Sequence, residues 1–386
     1  MVNSQGLSKS HYTFAIFFFV YYGFLGLVTP YLSLYFYDIG FDAIQIALLM
    51  SMLQITRIVG PFAWGWLADH RQDRIGIMRI TSIATTIIFT GIFFSNNFVV
   101  LMIWMFILNS VSSSLTPLGE AATLHALSKE NAFESKYGRL RLWGSLGFMV
   151  TVLLGGYWFD KFGVMTLPWL GLVALALVTV LAWRLWEPPI EGHETKRGQI
   201  RSTLKQKGVL YFFSSSFWMI FAHASLYVFY SLYLEKLGYE KSVIGLFWML
   251  GVGAEVIYFY FQNVAFKKFP AQKIIAITCL IGVVRFLAIA YLPYFWPLLI
   301  GQVLHAFTFA AHHSASIKYM QGWFQSGMQA RGQALYTSVS YGLGGTIGGL
   351  SAGWVWEKFG PNHAFGMSAL ACLIAYWCIK RASKLN

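Results

Sequence analysis

Arg57, Glu120, Glu255 and Arg285 stand inside otherwise apolar runs, and His305 joins them as a titratable group in the same kind of setting. A charge at the centre of a bilayer costs about 2.5 to 3.5 kcal/mol even on insertion scales, so such side chains persist where they pair, titrate or meet a polar ligand. Two acids, two guanidiniums and an imidazole can grip an anionic or hydrogen-bonding solute and can exchange protons. They do not have metal-site spacing: the chain contains no HxxxH and no Walker phosphate loop. The glycine-rich stretch 342–349 lacks a following lysine and reads as close helix packing.

Counting along the chain puts these groups at one depth. Arg57 lies 12 residues before Asp69, Glu255 12 before Lys267, Arg285 12 after Lys273 and His305 13 before Lys318. At 1.5 Å per residue each is roughly 18 to 20 Å from a charged boundary, just past the middle of a hydrocarbon layer about 30 Å thick. Arg57 and Glu255 are 198 residues apart, so the spacing predicts opposite charges at equivalent positions of two repeated halves. Glu120 lies only 9 residues from Lys129 and serves either that layer or packing near the boundary. His223 and the His312–His313 pair carry less weight, and His125 reads as a loop residue.

Such a layer needs a membrane-spanning scaffold, and composition supplies one. Of 386 residues, 57% are hydrophobic, 18% aromatic and 11% charged, against about 25% charged in soluble proteins. With a mean hydropathy of +0.58, a water-soluble globule could not cover its surface. The net charge of +13 is a matter of topology, and a nucleic-acid binder is excluded. The three cysteines, Cys279, Cys372 and Cys378, sit in apolar runs and build neither a disulfide framework nor a zinc cluster. The first apolar run, ending near Tyr37, is too long for a signal peptide and reads as a retained helix.

Windows of about 20 apolar residues predict twelve transmembrane helices, an all-α polytopic membrane protein: 12–36, 44–68, 76–95, 98–122, 140–159, 164–185, 209–234, 243–266, 273–292, 295–317, 331–355 and 362–380. Lys and Arg concentrate in alternate connections and at both termini, which the positive-inside rule places in the cytoplasm. The polar segment 186–208 reads as a cytoplasmic linker between a six-helix unit at 1–185 and another at 209–386. Internal matches support duplication. Ser33-Leu34-Tyr35 with Gly40 recurs as Ser231-Leu232-Tyr233 with Gly238, offset 198, and the stretch Gly156 to Gly163, with Asp160, recurs as Gly353 to Gly360, with Glu357, offset 197.

Six plus six helices as pseudo-symmetric repeats with a basic central loop are the plan of major facilitator transporters, and the motifs resemble that superfamily. At the end of the second helix, Gly65, Asp69, Arg71 and Arg74 resemble its gating signature, although His70 replaces the first basic residue and the glycine near position 72 is missing. Asp69 sits at the negative end of a helix dipole and so needs an outside partner; the resemblance implies basic groups and a helix N-terminus of the other half. Glu255, Arg285 and Leu304-His305-Ala306-Phe307 resemble the lactose/proton symporter and, more closely, its relatives of the phenylpropionate permease branch; Tyr137 to Ser145 is similar to both, and Pro117 to Ala121 resembles an acidic position of the second.

The resemblance implies proton coupling by Glu255, Arg285 and His305, and substrate binding by Arg141 with Trp143 and Phe148 as ring-packing neighbours; Arg57 and Glu120 complete the expected binding set. Thr308 and Gln302 depart from the lactose carrier, which has a glutamate and a lysine there, and this makes Glu255 the leading proton carrier. The expected activity is proton-coupled import of a small organic solute, an aromatic or other carboxylic acid, or a sugar or nucleoside, by alternating access. A proton-driven exporter is the alternative, and a membrane-embedded enzyme or a channel the reading from another class. The expected partners are the solute, protons and the lipid bilayer, with no cofactor; the expected form is a monomer in a bacterial inner membrane with both termini cytoplasmic.

Overall fold

The computed structural model describes residues 9–129, 133–188, 200–324 and 328–385. Among the described residues, ten helices are long and apolar enough to cross a membrane: α1 (Tyr12–Asp38), α2 (Ala43–Arg71), α3 (Arg74–Phe93), α4 (Phe98–Leu127), α5 (Tyr137–Phe162), α6 (Val164–Arg184), α7 (Lys207–Lys236), α8 (Lys241–Lys268), α9 (Ala271–Tyr291) and α12 (Pro361–Ala382). The remaining two are rods with π-helical centres. α10 joins Phe295–Val303 to His312–Met320 through Ala306–Ala311, and α11 joins Gln329–Tyr336 to Gly345–Phe359 through Thr337–Gly344. The chain thus has twelve transmembrane helices in two six-helix bundles. Residues 189–199 of the expected linker lie outside the described residues, and α7 begins at Lys207.

Local chemistry explains the punctuation. α4 runs past the expected end at 122 and breaks at Ser113–Ser114, since Pro117 lacks the N–H that would close on the Ser113 carbonyl. The duplicated motifs end on left-handed glycines: Gly40 and Gly238 (φ 97° and 86°) after α1 and α7, Gly163 and Gly360 (φ 80° and 91°) after α5 and α11. A side chain is strained there.

Within the first bundle α5 lies along α1, while α6 covers α1 and α3; within the second α7 packs on α12 and α11, and α9 on α12. The bundles meet through α5 against α8 and α2 against α11, two contacts that exchange under a shift of six helices. Small residues permit close approach: Cβ atoms at Gly156 and Gly245 would strike backbone of α8 and α5 respectively, and one at Gly353 would strike Ala47. Inter-bundle hydrogen bonds among the described residues lie at the end of the molecule away from the termini, except Ser338 Oγ to the Ile58 carbonyl at 2.9 Å.

A Cβ at Gly147 would run into the Phe19 backbone of α1, whereas one at Gly138 meets nothing within 4 Å. Gly147→Val should therefore cost about 1 to 3 kcal/mol through overpacking, read as a lowered Tm of the purified protein, with Gly138→Ala close to neutral.

Candidate functional site

In the second bundle the titratable groups form two adjoining sets. His305 Nε2 of α10 is 3.0 Å from Glu255 Oε1 of α8. The His305 ring stacks on Phe309 at 5.3 Å and 10°, which fixes the plane in which the imidazole presents Nε2. Arg285 of α9 is fully buried. Its Nε donates to the Gly301 carbonyl at 2.6 Å, and its Nη1 donates to Thr308 Oγ1 at 2.9 Å and faces His223 Nε2 at 3.4 Å. His223 Nδ1 lies 2.8 Å from the Met219 carbonyl, so Nδ1 carries the proton and Nε2 is the free acceptor. The π-helical segment of α10 lets Thr308 reach Arg285 while His305, three residues earlier, faces Glu255. Such π turns often mark functional sites.

In the first bundle Arg141 Nε of α5 lies 3.2 Å from Glu120 Oε1 of α4, and its guanidinium sits over the Tyr22 ring of α1 at 4.2 Å. Both charged groups are about one-third exposed, so the attraction is screened and weak. Arg57 of α2 donates to Gln54 Oε1 at 3.3 Å. Tyrosines of both bundles lie in the field of these charges. Tyr21 is within electrostatic reach of Arg57 and Glu120, Tyr227 of Glu255, Arg285 and Arg57, and Tyr341 of Arg57 and Glu255. Arg141 is within reach of Glu255 across the bundle boundary. The arrangement can present two guanidiniums and a carboxylate–imidazole pair to one solute, with phenol hydroxyls between them.

Several expected placements differ. Arg57 bonds Gln54 on its own helix, and Glu255 takes His305. Arg285 is not lining an open cavity: it is sealed among α7, α9 and α10, and its Nη2 has no hydrogen-bond partner among the described residues. Trp143 lies two positions beyond Arg141, about 200° round the helix, on the exposed apolar face with Leu146, Val150 and Leu154. That position removes it from Arg141's side of α5, whereas Phe148, two turns along from Arg141, stays on that side, half-buried against the core.

Of the expected gate, Asp69 and Arg71 are exposed with no ion pair or hydrogen bond among the described residues, and Gly65 has open space around it. Arg74 instead binds Glu187 at 3.5 Å, inside the first bundle, and His125, which is helical rather than in a loop, approaches the same carboxylate at 3.5 Å. Sequence reasoning gave too little weight to His223 and read Thr308 only as a departure. The signal available was chemical: a deeply placed arginine needs acceptors, and His223 and Thr308 are polar side chains in apolar stretches of α7 and α10.

A twelve-helix, two-bundle scaffold with ionisable groups at its centre is that of a major facilitator transporter. The chain belongs to the MFS_1 like family, whose model matches residues 11–367. It is similar to a probable 3-phenylpropionic acid transporter of Escherichia coli (strain K12), 28% identical over 94% of this chain and 95% of that one, and to a maltose permease of Geobacillus stearothermophilus, 22% identical over 92% and 90%. Among solved structures it superposes on the nucleoside transporter NupG with a TM-score of 0.85 at 13% identity, covering 98% of this chain and 100% of that one. It also superposes on the POT family transporter PepTSo at 0.74 and 12%, covering 97% and 96%. The protein is a multi-pass membrane transporter of small molecules, not an enzyme.

Removing one partner of a buried charge leaves the charge under-solvated. Thr308→Val should therefore destabilise the protein by about 1 to 3 kcal/mol or more, measured by thermal unfolding, with Thr308→Ser retaining most of the stability.

Proposed function

We propose that this transporter imports an aromatic carboxylic acid together with a proton. The observation that carries the reading is the Glu255–His305 contact at 3.0 Å, within electrostatic reach of Arg141 and Arg285 and close to where the bundles meet. A carboxylate in a low-dielectric setting favours protonation, and an approaching guanidinium opposes it. Relative movement of the bundles then changes the proton affinity of Glu255, and a bound anion that engages Arg141 or Arg57 adds to that change. Arg57 and Arg141 supply the charge for a carboxylate, and Tyr22, Tyr227 and Tyr341 supply surfaces for an aromatic ring. The similarity to a probable 3-phenylpropionic acid transporter supports the same substrate class.

A sugar is the second reading, favoured by the Glu120–Arg141 pair over Tyr22, a bidentate set for hydroxyls, and by the similarity to a maltose permease. A proton-driven exporter of cations fits less well, since basic groups equal or outnumber acids in the layer. In this reading both termini face the cytoplasm of a bacterial inner membrane and the monomer is the working unit. Units 1–185 and 209–386 rock about the connection at 186–208. The far-end contacts then seal the outside, and the unengaged Asp69 belongs to a state open to the cytoplasm.

Proteoliposomes with an imposed inward proton gradient should accumulate labelled 3-phenylpropionate and not maltose; the reverse result would replace the acid by the sugar. Glu255→Gln should abolish uphill accumulation while preserving exchange at equilibrium, and undiminished uphill uptake would remove Glu255 from the proton role. Arg57→Ala should weaken uptake of the acid about tenfold, close to 1.4 kcal/mol, while sparing its neutral amide. An equal loss for both would make Arg57 structural.

A further inference from the structure

The duplicated motif at the ends of α5 and α11 has no part in the solute site, yet its two carboxylates make matching contacts. Asp160 at the end of α5 accepts from the first backbone N–H groups of α8, Lys241 N to Oδ1 at 2.7 Å and Ser242 N to Oδ2 at 2.9 Å. Glu357 at the end of α11 accepts from the first N–H of α2, Ala43 N to Oε2 at 3.3 Å. Each carboxylate therefore caps the N-terminus of a helix that belongs to the other bundle. The first N–H groups of a helix lack partners within it, and the positive dipole end favours an anion, so both effects draw the carboxylate in.

The surroundings fit a contact that opens and closes. Gly156 and Gly353, four residues before the two carboxylates, let α8 and α2 approach so closely that a Cβ would strike the Lys241 carbonyl in one case and Ala47 in the other. Tyr31 adds a hydroxyl that donates to the Val152 carbonyl at 2.6 Å and lies 3.3 Å from the Lys241 carbonyl across the boundary. Asp160 itself is exposed, so water can replace its bonds when the bundles part.

We propose that Asp160 and Glu357 are gating residues: reciprocal helix caps that hold the bundles together at the end away from the termini, and so favour the conformation with that end closed. The caps are unequal. α2 has its own capping box, with Asp42 accepting from Gln45 N and Gln45 accepting from Asp42 N, whereas Glu240 at the matching position before α8 makes no side-chain cap. α8 relies on Asp160 for two N–H groups, while α2 gives Glu357 one. Asp160 is therefore the stronger latch. The inference needs only the alternation that defines this class of transporter, and stands apart from the identity of the solute and of the proton carrier.

The test uses spin labels at Asn96→Cys and Tyr294→Cys, two exposed positions on far-end loops of different bundles, in the reconstituted full-length protein without substrate; the native cysteines are buried. Pulsed dipolar distances should show one short population in the parent protein. Asp160→Ala should raise the longer, open population about tenfold, Glu357→Ala should raise it less, and Asp160→Asn, which retains one acceptor oxygen, should fall between the parent and Asp160→Ala. Adding Glu240→Asp to Asp160→Ala gives α8 a cap of its own. A latch predicts that the open population stays high in that double variant. Return to the parental distribution would mean that Asp160 merely prevents fraying, and unchanged distances in Asp160→Ala would likewise overturn the proposal. If Asp160→Ala does not fold, Asp160→Asn and Glu357→Ala carry the same comparison, and parental distances in both would overturn it.

Discussion

Charge inside hydrocarbon must be solvated by protein, and the interior of this transporter is arranged around that requirement. Arg285 shows it most clearly. Paired with no carboxylate among the described residues, its guanidinium is held by the Gly301 carbonyl, the Thr308 hydroxyl and the Nε2 of His223. His223 can serve because the Met219 carbonyl fixes its proton on the other nitrogen. These neutral acceptors bind three helices of the second bundle to one cation, and they leave the Glu255 carboxylate free to work with His305. Glu255 is thereby paired with His305 at 3.0 Å rather than with the buried guanidinium.

The two bundles contribute unlike halves to the centre. The first offers Arg57, Glu120 and Arg141, partly exposed and held by few contacts. The second offers a buried network that joins α7, α9 and α10 around Arg285, with the Glu255–His305 pair beside α8. Between them, α5 against α8 and α2 against α11 form narrow seams of small residues. These seams are closed at one end by carboxylates on helix N-termini, while at the other Asp69 and Arg71 stand exposed.

Much of this was written in linear order. Apolar runs with a required length of about 20 residues marked all twelve helices within a few residues, because the bilayer imposes that length on any chain. The offset of 197 to 198 residues located the left-handed glycines before they were seen, since a turn that needs positive φ keeps its glycine in both copies. The depth count found Arg57, Glu255, Arg285 and His305, as charge in an apolar run is conspicuous. It failed on pairing: depth gives height along the membrane normal and says nothing of the angle around each helix. Trp143 was misplaced for that reason, two residues from Arg141 but on the opposite side of α5.

The sequence alone determined that the protein spans a membrane twelve times, that it is duplicated, and which residues carry charge into the interior, because hydrophobic length, repeat offset and residue type are properties of the chain read in order. Only the tertiary structure decided which charges meet. His305 takes Glu255, His223 and Thr308 take Arg285, Glu120 takes Arg141, and Asp160 and Glu357 reach across to the opposite bundle. Those choices follow from helix rotation, from π turns in α10 and α11 and from the closeness that glycine seams permit, and each of these depends on neighbours far away in the chain.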